Sequence, residues 1–374
     1  MNEHQSFVVP YQDLSSAQKA IVEEATGTNN SFFVEGPPGS GKTLISLHIV
    51  KSMIGHEIVN PLVLIYNNSL LGYLKASFEA LGIKGVTIKT KDSFFWELKR
   101  KYQILVDENA DFNTKRNQIL KGLQSINLDL NYSVIILDEI QDFYEDEWLV
   151  LKKIGKKFIF LGDFEQKIYN GDLNKTTITT FSIPKVLKTV FRFGSKIAKF
   201  VEQFSKSKKI LETEREDTII PLIQECANKT EEHQEILEII NARKNDGKRI
   251  AIISIGKDRL QEINNFLNEK GIEHFHAPDP NSFKDYDFSS NKMVLITSAS
   301  AKGLEFSTVI VVGFDEGSKA IWGFKKHGGL EENIYVCLSR ATDHLYILRN
   351  PNTITELRDL HQETEIEDNN NDWF

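Results

Sequence analysis

Short apolar runs recur along the first half of this chain, at 31–35, 62–66, 86–89, 132–137 and 157–161, with helical patterns such as 70–81 between them. Strand-length runs that alternate with amphipathic helical stretches predict a parallel α/β sheet. A second series follows at 249–254, 292–297, 308–312 and 344–348, with a helical stretch at 260–270. The pattern therefore predicts two α/β domains in tandem, a first at 1–183 and a second at 184–350. Residues 97–131 turn polar and weakly patterned, and we read them as a small helical insertion. Residues 351–374 are acidic and asparagine-rich, a composition that predicts a disordered tail.

At 374 residues and 40% hydrophobic content, the chain has material for two cores of ordinary size. No apolar run approaches the roughly 18 to 20 residues that a bilayer-spanning helix needs. The first residues, MNEHQSFVVPYQD, lack a basic stretch followed by an apolar one. A soluble, cytoplasmic protein without a membrane partner is expected. Cys226 and Cys337 are the two cysteines, too few for a thiolate metal cluster, and a disulfide is not expected in a reducing compartment. Both are read as buried small apolar residues.

Chemistry enters with GPPGSGKT, which follows the first strand-like run and precedes an apolar helical pattern. Gly36, Pro37, Pro38, Gly39, Ser40, Gly41, Lys42 and Thr43 fit the phosphate-binding loop. Its glycines let successive backbone N–H groups turn inward around phosphates, Lys42 adds a cation, and the Thr43 hydroxyl can hold Mg²⁺. The expected ligand is a nucleoside triphosphate, ATP. The run at 132–137 ends in Asp138 and Glu139, which would emerge at the C-terminal end of a buried parallel strand, where such sheets bind ligands. Asp138 is expected to anchor Mg²⁺ and Glu139 to activate the attacking water.

Four further stretches follow in order: LGDFEQKIY (161–169), VFRFGSKI (190–197), ITSASAKGLEF (296–306) and IYVCLSRA (334–341). In order and approximate spacing, they and the two phosphate-handling elements resemble superfamily 1 helicases, the UvrD/Rep group in particular. The resemblance spans about residues 14–349. It implies two RecA-like P-loop domains with the ATP site in the cleft between them. It also implies roles for single residues. Gln18 would read the adenine edge, as an amide can do bidentately, and Phe191 would stack on the base. Gln166 would link the γ-phosphate to the nucleic-acid face, Glu305 would contact the ribose, and Gly303 would border the nucleotide. Arg192 and Arg340 would reach the γ-phosphate from the second domain as arginine fingers. Asn67, Asn68, Thr90, Ser93 and Thr297 fall where the family touches backbone phosphates, although small polar residues at strand ends are also common helix caps. Tyr169 would stack on a base.

Three departures qualify the resemblance. Gly171 stands where the family carries an aromatic, and Ala299 replaces its usual histidine. Ser93 and Asp138 are 45 positions apart, and Arg192 and Thr297 are 105 apart, which leaves little room for the accessory subdomains of larger members. The net charge of −8 is unusual for a nucleic-acid binder. Lysines at 152, 153, 156 and 157 and a basic segment at 185–209 leave room for a basic groove, but surface lysines ordinarily solvate helix faces. The first reading is an ATP-dependent translocase or helicase on single-stranded DNA, 3′ to 5′ by resemblance. The alternative is a nucleic-acid-sensing ATPase subunit that regulates a partner such as a nuclease. The terminal Asp372, Trp373 and Phe374 resemble the acidic-aromatic tips that dock on protein partners.

Overall fold

The computed structural model describes residues 9–56, 60–164, 171–205, 211–215, 219–288 and 290–360. The chain forms two compact units, each around a six-stranded, all-parallel sheet, which is the tandem α/β architecture expected from the pattern. The first unit comprises 1–192 together with two later segments, 280–290 and 302–304; the remainder forms the second.

The first sheet is built from β1 (Phe32–Glu35), β2 (Pro61–Ile65), β3 (Thr87–Thr90), β4 (Val134–Leu137), β5 (Phe158–Gly162) and β6 (Ile183–Val186), in the order β3-β2-β4-β5-β1-β6. Both faces are covered, so successive strand residues enter different cores. Phe33, Leu62, Leu64, Ile135, Leu137 and Phe160 pack with helices α4 (Lys91–Lys101) and α5 (Phe112–Ser125). Phe32, Val34, Val63, Ile65, Val134, Ile136 and Leu161 pack with α1 (Ser16–Gly27), α2 (Lys42–Gly55) and α3 (Asn68–Ala80). Two-sided burial is why these runs read as continuous apolar stretches. The polar 97–131 stretch is helical where Ile119, Leu120 and Leu123 give α5 a narrow buried stripe.

Two expectations change. The first unit extends past 183, because β6 pairs with β1 from Phe32↔Ile183 to Glu35↔Val186 and carries the chain on to Arg192. The tail is ordered at its start: Ile354, Leu357 and Leu360 are buried, and Arg349 Nη1 donates to the carbonyls of Leu357, Arg358 and Leu360. Residues 361–374, with the Asp-Trp-Phe tip, lie outside the described residues.

Two-residue strands β7 (Thr189–Val190) and β8 (Glu212–Thr213) precede the second sheet. That sheet contains β9 (Leu222–Glu225), β10 (Ile250–Ser254), β11 (Phe275–Ala277), β12 (Val294–Thr297), β13 (Phe306–Val311) and β14 (Ala341–Arg349), in the order β11-β12-β10-β13-β14-β9. Ile236, Ile239 and Ile240 of the helix Lys229–Arg243, and Leu260, Ile263 and Leu267 of the helix Lys257–Glu269, cover one face. Among the described residues no helix is long and apolar enough to cross a membrane.

The later segments join the first unit through α3. A Cβ on Gly72 would come within 2.3 Å of the Phe288 ring, so glycine at 72 is what admits that ring. Phe288 in turn stacks with Phe283 and meets Tyr286 edge to face, with centroids 5.9 and 4.9 Å apart.

Candidate nucleotide site

The loop 36–41 leaves the C-terminal end of β1 and delivers the chain into α2, whose first residues are Lys42 and Thr43. Its backbone requires glycine twice, at Gly39 (φ +77°) and Gly41 (φ +87°). Space is also short there. A Cβ at Gly39 would lie 2.5 Å from Arg192 Cβ, and one at Gly41 would lie 2.4 Å from Gln18 Nε2.

Gln18 is buried and holds the loop from α1. Its Nε2 donates to Ser40 O at 3.0 Å, while its Oε1 accepts from Ser15 N at 2.9 Å in a capping box. In this arrangement the amide that would read an adenine edge is engaged with the protein's own backbone. Phe191 N donates to Gly39 O at 2.9 Å, which brings Phe191 and Arg192 beside the loop within the first unit. Arg192 therefore groups with the phosphate loop rather than with the second sheet, because β6 and the residues after it remain on the first.

Lys42 Nζ donates to Gly36 O at 2.7 Å and to Pro37 O at 3.1 Å. Burial lowers its pKa, and Asp163, Glu139 and Asp138 act in the opposite direction. Thr43 Oγ1 donates to Asp138 Oδ2 at 2.8 Å, so the two oxygens expected to hold a metal are adjacent although 95 positions separate their residues. Hard oxygen donors of this kind suit Mg²⁺. Burial pushes the Asp138 carboxyl up to about 6, aided by the charge of Glu139 and opposed by the Thr43 hydrogen bond and Lys42.

Glu139 adopts left-handed backbone (φ +58°, ψ +48°), uncommon for a non-glycine residue, at a cost of about 1 to 2 kcal/mol. That turn ends β4 and starts the 3₁₀ segment Ile140–Asp142. The Glu139 carboxylate accepts from Gln141 Nε2, and Lys302 Nζ lies 3.5 Å from its Oε2. Gln141 Oε1 accepts from Asp163 N at 3.1 Å, tying this turn to the end of β5.

Sequence reasoning passed over Gln141, Asp142, Lys302, Lys91 and Glu147. Lys302 is buried and ion-paired with Asp142. Lys91 donates to Asp142 O and to both oxygens of Glu147, each at 3.0 Å. The signals were present: Lys302 is the one charged residue in the stretch 297–304, and Lys91 stands at the start of an otherwise amphipathic helix. Their partners lie 160 and 56 positions away and follow only from the fold.

The proposed nucleic-acid contacts divide. Asn67 and Thr90 cap α3 and α4, accepting from Leu70 N and Ser93 N at 2.9 and 3.3 Å. Asn68 Nδ2 donates to Asn281 Oδ1 at 2.6 Å. Thr297 Oγ1 donates to Ser300 Oγ at 3.0 Å in the second unit. Gly303 (φ +84°) sits against Leu70 of α3. Glu305 is half-buried, and Arg340 is buried with Nε donating to Val336 O at 2.9 Å and Nη2 to Ser339 Oγ at 2.9 Å. Gln166 and Tyr169 lie outside the described residues. Of the lysine cluster, Lys153 donates to the carbonyls of Leu123 and Gln124 at the end of α5, and Lys157 donates to those of Ala25 and Thr28 at the end of α1. These two close helix termini.

Residues 18–172 match an AAA domain family. No curated protein matches the sequence. Among solved structures, the chain is similar to the arterivirus nonstructural protein 10 helicase in complex with DNA, at 13% identity over 91% of this chain and 66% of that one, TM-score 0.46. It is also similar to the PRRSV helicase, at 14% identity over 93% and 57%, TM-score 0.45. A third, the C-terminal domain of a possible DNA helicase from Lactobacillus plantarum, is 16% identical over 46% of this chain and 94% of that one, TM-score 0.35. The chain thus spans less than two thirds of the length of either viral helicase. Residues 18–172 thus carry the AAA-domain match, and the motifs that resemble superfamily 1 helicases continue in order beyond it.

Proposed function

We propose that this protein is a nucleic-acid-stimulated ATPase that translocates along single-stranded DNA in the manner of UvrD/Rep helicases, with 3′ to 5′ polarity. The observation that carries the proposal is the juxtaposition of Thr43 and Asp138, with Glu139 next in sequence, opposite a glycine loop bearing Lys42. Phosphoryl transfer needs this set: backbone donors and a cation on the phosphates, hard oxygens for a metal, and a carboxylate to orient water. Thr43 and Asp138 would hold Mg²⁺, which when bound neutralises charge on the β- and γ-phosphates. Glu139 would accept the proton of the attacking water, and Arg192, beside the loop, would add positive charge as the transferred group develops negative charge. Gln166, Arg340, Phe191, Gly303 and Glu305 keep the roles that the motifs imply, while Asn67, Asn68, Thr90, Ser93, Thr297 and Tyr169 supply candidate strand contacts. Turnover would alternate the grip of the two units on the strand.

A second reading is favoured by the brevity of the first insertion, where α5 is the single helix between α4 and β4. An insertion this short suits an ATPase subunit that senses nucleic acid and licenses a nuclease, as in DNA repair or antiviral defence. ATP hydrolysis by the purified chain, with and without single-stranded DNA, duplex DNA and RNA at fixed salt, separates the readings. Stimulation by single strands together with strand displacement supports the translocase. Turnover without displacement supports the sensor, and absence of hydrolysis under every condition would sink both.

A further inference from the structure

A lone phenylalanine on a protein surface needs no explanation, but Phe112 does not stand alone. It is the first residue of α5, 51% exposed, and its ring centre lies 6.4 Å from that of half-buried Trp96 on α4, at an interplanar angle of 32°. One turn further along the same face of α5 comes Arg116. Its guanidinium carbon lies 3.6 Å from the ring centre of half-buried Tyr144, the residue that caps the helix Glu145–Leu151. Beside Trp96, Lys99 Nζ sits 5.6 Å over the ring. Lys99, Trp96, Phe112, Arg116 and Tyr144 therefore form a row in which rings and cations interleave, all within the first unit. Three helices contribute to it, so no local pattern in the sequence shows it.

We propose that this row is a stacking face for single-stranded DNA, with bases lying on Phe112 and Trp96 and Arg116 meeting the backbone phosphates. The carboxylates nearby are already occupied. Glu97 pairs with Lys89, Glu108 pairs with Lys99 at 2.9 Å and Lys115 at 3.8 Å, and Asp111 caps α5 by accepting from Asn113 N and Thr114 N. Arg116 differs: its Nη2 donates to the amide oxygen of Asn117 at 3.3 Å, and among the described residues its Nε has no partner. Arg100 and Lys101 add two exposed cations at the end of α4. Cations of this kind beside half-exposed rings favour a polyanion with accessible π-faces over an apolar protein surface. Every base has such a face, so the row binds without regard to sequence. A duplex keeps its base faces in the stack and offers the rings nothing. Beyond Tyr144 the surface turns acidic at Glu145 and Asp146, which ends the row.

The proposal rests on the reading of this chain as a binder of single strands, and its test separates the two. Dissociation constants of the full-length chain are measured by fluorescence anisotropy for labelled oligo-dT and for an abasic strand of equal length, which keeps the phosphates and lacks the bases. Phe112→Ala, Phe112→Tyr, Trp96→Leu and Arg116→Gln are compared with the unmodified chain, with thermal melts and ATP affinity alongside. Phe112 is exposed at the first position of its helix, so its truncation leaves the fold intact and the test does not depend on Trp96. The expected result is that Phe112→Ala and Trp96→Leu weaken oligo-dT binding by roughly 5- to 100-fold and leave abasic-strand and ATP affinities within about 3-fold of the parent. Phe112→Tyr, which still stacks, retains binding. Arg116→Gln weakens both strands and lowers the slope of log affinity against log salt by about 0.7. Folded Phe112→Ala and Trp96→Leu variants with parental oligo-dT affinity overturn the proposal and leave the single-strand reading intact. An equal loss on the abasic strand means that no base is stacked and overturns it as well. Parental strand affinity together with loss of self-association in Phe112→Ala assigns the face to a second copy of the chain instead. A parent that binds neither strand sinks both readings.

Discussion

Thr43 Oγ1 donates a 2.8 Å hydrogen bond to Asp138 Oδ2, joining the first turn of α2 to the end of β4. If both oxygens face one Mg²⁺, Thr43→Val raises the Mg²⁺ concentration for half-maximal turnover by roughly 10- to 100-fold, whereas Thr43→Ser retains most activity. A Mg²⁺ titration of ATP hydrolysis for the two variants decides the matter; identical curves would remove the metal assignment.

Lys42 and Glu139 act at different moments in the proposed reaction. Lys42→Ala weakens nucleotide binding, because the ammonium meets phosphate in ground state and transition state alike. Glu139→Gln binds ATP with near-parental affinity and loses turnover by on the order of 100- to 10,000-fold, the usual range for removing a general base. Binding titrations beside turnover assays distinguish the two, and substantial hydrolysis by Glu139→Gln would overturn the base assignment.

Gly39 tests the loop geometry itself. An alanine there meets Arg192 Cβ at 2.5 Å on backbone of φ +77°, so Gly39→Ala should lower stability by about 1 to 3 kcal/mol and weaken ATP binding. Thermal melts and ATP titrations that match the parent would show that the loop relaxes without consequence.

Lys91 and Glu147 form an ion pair with side chains 3% and 0% exposed, under the rings of Tyr66, Phe143 and Tyr144. Lys91→Met leaves Glu147 buried and unpaired, and is expected to cost about 3 to 5 kcal/mol; adding Glu147→Gln recovers most of it. Urea unfolding of the single and double variants gives the comparison, and equal midpoints would show that water reaches Glu147 freely.

Both cysteines should resist alkylation in the native state. Burial pushes the Cys226 thiol up to about 12, with Glu232 and its acidic neighbours adding to the effect, and burial holds Cys337 far above the ordinary thiol range. Thiolate is the reactive form, so iodoacetamide at pH 8 should leave the folded chain unmodified and label two sites after denaturation. Rapid native labelling of Cys337 would mean that its helix opens readily.

What the sequence discloses follows the range of the interactions. The central strands β1, β2, β4, β10, β12 and β13 are legible because two-sided burial writes apolarity at consecutive positions. Edge strands β6 and β9 are mostly exposed, at Ile183, Pro184 and Val186 and at Leu222, Gln224 and Glu225, so nothing in their composition separates them from loops. The phosphate loop and Asp138 with Glu139 are legible because glycine conformation and strand-end acidity are local properties. Asn67 and Thr90 are ambiguous locally, since a capping side chain and a phosphate contact draw on the same residue types. The pairing of Lys302 with Asp142 is invisible in sequence because no local pattern encodes a partner 160 positions away.

The Phe288 ring seated on Gly72 has a consequence for biosynthesis. Translation runs from the N-terminus, and a nascent chain that has emerged only as far as Arg192 carries all six strands of its first sheet, yet lacks the aromatic segment that covers Gly72 and the ammonium that neutralises Asp142. A charge buried without its partner is strongly destabilising. The first unit is therefore finished only when the ribosome has released residue 304, after most of the second sheet has been made, and expression of 1–192 alone should yield a fragment that aggregates or binds chaperones rather than a working ATPase domain.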